Sequence, residues 1–130
     1  MPTTRTPYKI ILNTGNVTWS NMPAAATEFL GTVHRRLKVD LTDADKVRLV
    51  ARVSTVGQAG ATLKAEYSTD ELAWNNLTAN TIPLGSIATA ATAWEAVPAG
   101  AKGDVFVRLL GAGGNGTLDP VFGNIMLEVR

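Results

Sequence analysis

The sequence contains no cysteine and a single histidine, His34, in 130 residues. The first absence excludes disulfide scaffolds, thiolate metal sites and cysteine nucleophiles, and the second excludes metal centres built on several histidines. Charged residues are scarce at 18%, below the ~25% usual in soluble domains. Neither sign dominates: 12 Lys and Arg against 11 Asp and Glu leave +1. Charge therefore does not demand nucleic acid or an anionic membrane as partner. Long apolar runs are missing too. Ile10-Ile11-Leu12 is stopped by Asn13, short of the roughly 7–15 residues of a secretory signal core and far from the ~20 of a membrane helix. The expectation is a soluble chain made in the cytoplasm.

What is present is apolar material at 45%, enough to argue against disorder. The length suits one domain with a real core. Small residues are abundant, with 18 Ala, 16 Thr and 12 Gly, as close sheet packing and tight loops require. No internal repeat is visible.

The hydrophobic period is two. Val47, Leu49, Ala51 and Val53 alternate with Lys46, Arg48, Val50 and Arg52. The same alternation runs through Leu37-Val39-Leu41, Leu63-Ala65-Tyr67 and Ile125-Leu127-Val129. Alternation sends one set toward a core and the other outward. The run Asp104–Leu110 is apolar on both sides, which suits a strand covered on both faces by a loop or a neighbouring chain. Gly, Asn and Asp clusters punctuate these runs. Predicted strands are 8–12, 16–20, 34–41, 46–54, 61–68, 73–77, 92–97, 104–110 and 123–129. Residues 24–30 are the one helix candidate, following Pro23, and 85–93 is a loop or weak strand. The expected fold is all-β: a two-sheet antiparallel β-sandwich of jelly-roll type with 7–9 strands and at most one short helix. Residues 1–15 form an N-terminal arm or first edge strand, and 16–130 the single domain.

No catalytic constellation emerges. His34 stands beside Arg35 and Arg36 without a Gly-x-Ser-x-Gly elbow, and reads as an exposed or edge histidine. The acids lie mostly in turns or on outward strand positions, so a glycosidase pair is not expected. Gly113–Asp119 offers one carboxylate and one amide, too few oxygens for calcium. No Lys-Ser/Thr follows it, so it is no phosphate cradle either. No catalytic, cofactor or metal residue is assigned.

Tyr67-Ser-Thr-Asp-Glu-Leu-Ala-Trp74 resembles the Asp-box hairpin of sialidase propellers, with Leu72 at the glycine position and one residue missing. It reads as a structural hairpin, Asp70 holding the turn and Trp74 anchoring it. Trp19, Trp74 and Trp94 read as sandwich anchors, with a sugar-stacking platform as the alternative. Half the basic residues fall between 35 and 52. Paired as a hairpin, 34–41 and 46–54 would bring Arg36, Lys38, Lys46, Arg48 and Arg52 onto one face. That face would be solvated or set against an acidic protein surface. Phe106 and Arg108 on the two-faced strand join it as candidate interaction residues. Nucleic acid is not expected, because no aromatics interleave the basic face.

The segments Trp19-Ser-Asn-Met-Pro-Ala-Ala25, Asp40-Leu-Thr, Val47-Arg-Leu-Val50, Tyr67–Asp70 with Trp74, Gly103–Arg108 and Gly114–Pro120 running into Gly123-Asn-Ile carry a further likeness. Over about residues 16–130 the chain resembles small jelly-roll structural proteins of tailed bacteriophages, which serve as head-decoration, tail or fibre components. The resemblance implies a non-enzymatic virion protein that stabilises a particle through inter-subunit contacts. Capsid or tail proteins and further copies of the chain are the implied partners, a trimer among the symmetries open to it. The alternative is a carbohydrate- or receptor-binding module. No membrane partner is implied. Fold alone does not separate these roles.

Overall fold

A computed structural model describes residues 8–32 and 35–130. Among these residues the chain forms eleven strands: β1 (Tyr8–Thr18), β2 (Thr27–Glu28), β3 (Leu37–Asp40), β4 (Lys46–Thr55), β5 (Thr62–Ser68), β6 (Asn75–Asn76), β7 (Ile82–Pro83), β8 (Ala88–Ala91), β9 (Glu95–Ala96), β10 (Asp104–Ala112) and β11 (Val121–Val129). The one helical element among the described residues is a 3-10 turn, Ala99–Ala101.

Two antiparallel sheets pack face to face. One runs β1-β11-β4-β8, with β9 also on β4. The other runs β2-β10-β5-β6, with β3 also on β10 and β7 also on β5. The pairing is nested along the chain. β1 pairs with β11, β2 and β3 with β10, β4 with β8 and β9, and β5 with β6 and β7. Successive arms therefore alternate between the two layers.

The inward set fills the space between the sheets. Val47, Leu49, Ala51 and Val53 of β4, with Ile125 and Leu127 of the adjacent β11, face Leu63 and Ala65 of β5 and Val105 and Val107 of β10 across the sandwich, all buried. At one end Trp19, Phe29 and Phe122 form a chain of tilted rings with centroids 4.9 and 5.0 Å apart. Gly111 makes this possible. A Cβ there would lie 2.2 Å from the Trp19 ring, so only glycine lets the indole lie on β10.

Several expectations change. The strands 8–12 and 16–20 are one strand, β1, with register shifts between Ile11 and Asn13 and between Asn13 and Asn16. Residues 8–15 thus belong to a sheet edge, while 1–7 and His34 lie outside the described residues. The helix candidate 24–30 is not helical. Thr27 and Glu28 instead pair with Gly111 and Leu110, and this pairing carries Phe29 into the core. Tertiary pairing of a β-branched residue overrides the weak helical preference of the alanines. The hairpin of 34–41 with 46–54 does not form. β3 and β4 lie in different sheets, and the segment between them crosses the sandwich with Leu41 and Ala44 buried.

Two substitutions test this core. Phe122→Ala is expected to cost about 3–5 kcal/mol by removing a fully buried ring. Gly111→Ala is expected to cost about 1–3 kcal/mol by overpacking against Trp19. Urea denaturation followed by far-UV circular dichroism measures both.

Candidate functional site

Because the inward residues of each strand are committed to the core, the outward residues of the two sheets are what the fold offers to partners. The predicted basic cluster is divided between them. Arg36 and Lys38 stand on the β2-β10-β5 side, and Lys46, Arg48 and Arg52 on the β1-β11-β4-β8 side. The expectation of one shared face fails because the chain changes sheet between Asp40 and Lys46.

The outer face of the β2-β10-β5 sheet is an interlocked network. The Arg108 guanidinium donates to Glu66 at 2.7 Å and to Glu28 at 3.1 Å. Arg36 donates to Glu28 at 3.0 Å and lies 3.7 Å from Glu71. Both guanidinium groups lie over the Trp74 ring, at 4.3 Å for Arg108 and 5.2 Å for Arg36. Lys38 lies over Phe106 at 6.0 Å. Arg108, Phe106 and Leu110 are the outward residues of β10, all half-buried, while Val105, Val107 and Leu109 face the core. The apolar character read on both sides of this strand corresponds to those two environments.

Burial pushes the Glu28 carboxyl up, but hydrogen bonds from Arg36 and Arg108, reinforced by their charges, outweigh it and hold the group below its ordinary value. The turn beside this network is built by Asp70. Its Oδ1 accepts from the Leu72 and Ala73 N–H groups and from the Ser68 hydroxyl. The same contacts, Leu72 first, hold the Asp70 carboxyl below its usual range. They also support Glu71 at φ 61°. The predicted role of Asp70 in the turn thus has a geometry, while Trp74 is anchored by cations on an outer face rather than in the core.

The outer face of the β1-β11-β4-β8 sheet is built differently. Cross-strand register sets its rows. One row is charged: Lys9, Glu128 and Arg48 stand side by side, and Arg48 pairs with Glu128 at 2.8 Å. Trp94 lies beyond it, with the Arg48 and Arg130 guanidiniums over its ring at 4.6 and 4.3 Å. The next outward row is apolar: Ile11, Met126, Val50 and Ala91 align across all four strands. Ile11 is 42% exposed, and Met126 and Val50 are half-buried. Ile11, Met126 and Val50 of this row line a groove of about 380 Å³, flanked on the far side by Arg52, Thr89 and Asn124. The sequence already shows Val50 and Met126 as the apolar members of otherwise charged outward sets. Their adjacency to Ile11 depends on register.

Of the three tryptophans, Trp19 is a core residue as expected, while Trp74 and Trp94 are half-exposed on opposite outer faces. Cations cover the rings of both. The glycine-rich loop is a self-tied turn. Asn115 Oδ1 accepts from the N–H groups of Thr117 and Leu118, and Asp119 accepts from the Asn21 N–H at 2.6 Å. Arg35 is exposed and donates to the Leu30 carbonyl at 2.6 Å. Among the described residues, no group of three or more His, Asp or Glu converges as a metal site, and no helix is long and apolar enough to cross a membrane. No protein-family model, curated protein or solved structure matches the chain.

Because Glu28 is more acidic in the folded than in the unfolded chain, its contribution to stability is complete above its ordinary value of 4.5 and is lost as pH falls below it. Asp70 and Asp40 act in the same direction from 3.8 downward. Urea midpoints measured between about pH 6 and pH 3 should fall on the acid side, and Glu28→Gln should make that fall shallower.

Proposed function

We propose that the chain is a non-enzymatic structural component of a virus particle, held on the capsid or tail by protein–protein contact through the outer face of the β1-β11-β4-β8 sheet. The observation that carries this reading is the aligned apolar row Ile11–Met126–Val50–Ala91, whose first three members line a groove that no described part of the chain covers. Outward apolar residues aligned across a whole sheet suit a contact surface, whereas scattered ones need no partner. The kinship with small jelly-roll phage proteins remains part of the proposal. The nested pairing of the strands is the order expected of a jelly roll, which supports it. The carbohydrate alternative is the weaker reading, since arginine guanidiniums lie over the half-exposed Trp74 and Trp94 rings and Trp19 is in the core.

Magnitude matters here. Apolar surface covered in such a contact contributes about 25 cal/mol per Å². Association costs about 4–15 kcal/mol. The groove alone therefore gives at best modest affinity per copy. Lattice attachment by many copies compensates for that, and so do flanking charges.

Val50→Glu places a charge in the groove without touching the core, because Val50 faces outward. The variant should remain folded by circular dichroism and fail to co-sediment with particles that bind the wild-type chain. Undiminished co-sedimentation, or absence of the wild-type chain from particles made by its source, would overturn the reading.

A further inference from the structure

The two outer faces differ in their balance of charge, and that difference bears on the partner. On the β2-β10-β5 side, Arg36 and Arg108 are both committed to Glu28, Glu66 and Glu71. On the β1-β11-β4-β8 side, five cations point outward, Lys9, Lys46, Arg48, Arg52 and Arg130, against the single carboxylate of Glu128. Glu128 is already engaged by Arg48. Lys9, Lys46 and Arg52 are exposed and have no carboxylate within salt-bridge distance among the described residues. The neighbouring acids are occupied elsewhere. The Glu95 carboxylate accepts from the Ala79 and Asn80 N–H groups, and Asp45 lies 3.8 Å from Lys102.

The apolar groove is thus bordered by cations on both long sides, with Lys9 and the Glu128-paired Arg48 in the row on one side and the unpaired Arg52 on the other. We infer that this face docks an acidic protein surface: a segment that lays apolar side chains along the Ile11–Met126–Val50 row and carboxylates toward Lys9, Lys46 and Arg52. The inference rests on reading this face as a contact surface and adds the chemistry of what occupies it. A second copy docked two-fold on the same face would set cations against cations, which costs affinity in an isologous contact. A polyanionic nucleic acid would use the cations but leave the apolar row unmatched. It would also find the Trp94 ring already under two guanidiniums rather than free to stack.

The test uses the full chain, with assigned methyl and amide resonances, titrated with three short extended peptides. These alternate valine with glutamate, with serine or with lysine. The expected result is that the Val-Glu peptide alone shifts Ile11, Val50, Ala91 and Met126. Binding should weaken steeply from low salt to about 0.5 M and fall about tenfold in Arg52→Glu and in Lys9→Glu. Both substitutions are at exposed positions without a carboxylate partner, so the fold should survive, as amide dispersion would show.

Equal or tighter binding of the serine or lysine peptide overturns the acidic chemistry. So does displacement of the Val-Glu peptide by a single-stranded oligonucleotide with the same resonances shifted. Concentration-dependent dimerisation that Val50→Glu abolishes overturns it in favour of a second copy. If no peptide moves these resonances while Val50→Glu still prevents particle co-sedimentation, the acidic chemistry falls and the contact surface stands. If Val50→Glu also co-sediments normally, both fall.

Discussion

Packing of the two inner faces against each other is the constraint from which the rest follows. The long central strands β4, β10 and β11 give every second side chain to the core, with residues that are almost completely buried. The remaining residues have one direction left. The parity that buries Leu49 and Leu127 is what makes Val50 and Met126 point outward. A slip of one residue in either strand would exchange the two sets. Register therefore decides the composition of both outer faces as well as the core.

The two faces differ in how far the chain satisfies itself. Arg108, lying between Glu28 and Glu66 and over Trp74, is fully engaged by its own neighbours. Such a network contributes to a defined local geometry and offers little to a newcomer, because a partner would have to displace bonds already made. On the opposite face, the groove and its unmatched cations leave both apolar contact and charge pairing to be completed from outside. Desolvation of these exposed side chains is modest, so in the proposed contact charge would govern partner choice and encounter rate while the apolar row would supply burial.

Much of the fold was readable from residue order. The period-two runs at 46–54, 61–68, 104–110 and 123–129 return as β4, β5, β10 and β11 within about two residues, because strong alternation leaves no other secondary structure that buries the apolar set. Short elements were harder. Residues 24–30 looked helical because three alanines favour a helix locally, yet Thr27 and Glu28 are held as a strand by β10, more than eighty positions away. Trp74 and Trp94 looked like core anchors because tryptophan is large and apolar. Their placement outside follows from arginines contributed by distant strands.

The sequence alone determined that this is an antiparallel sandwich, which residues of the strongly alternating strands face inward, and that Asp70 ties a turn, since each of these depends on neighbours within a few positions. Only the tertiary structure decided which strands lie side by side. That single choice separated Arg36 and Lys38 from Lys46, Arg48 and Arg52, and it set Ile11 beside Met126 and Val50 from strands far apart in the chain. The physical reason is that an outward face is assembled across strands rather than along them. Its chemistry is a property of pairing order and register, to which no local stretch of residues has access.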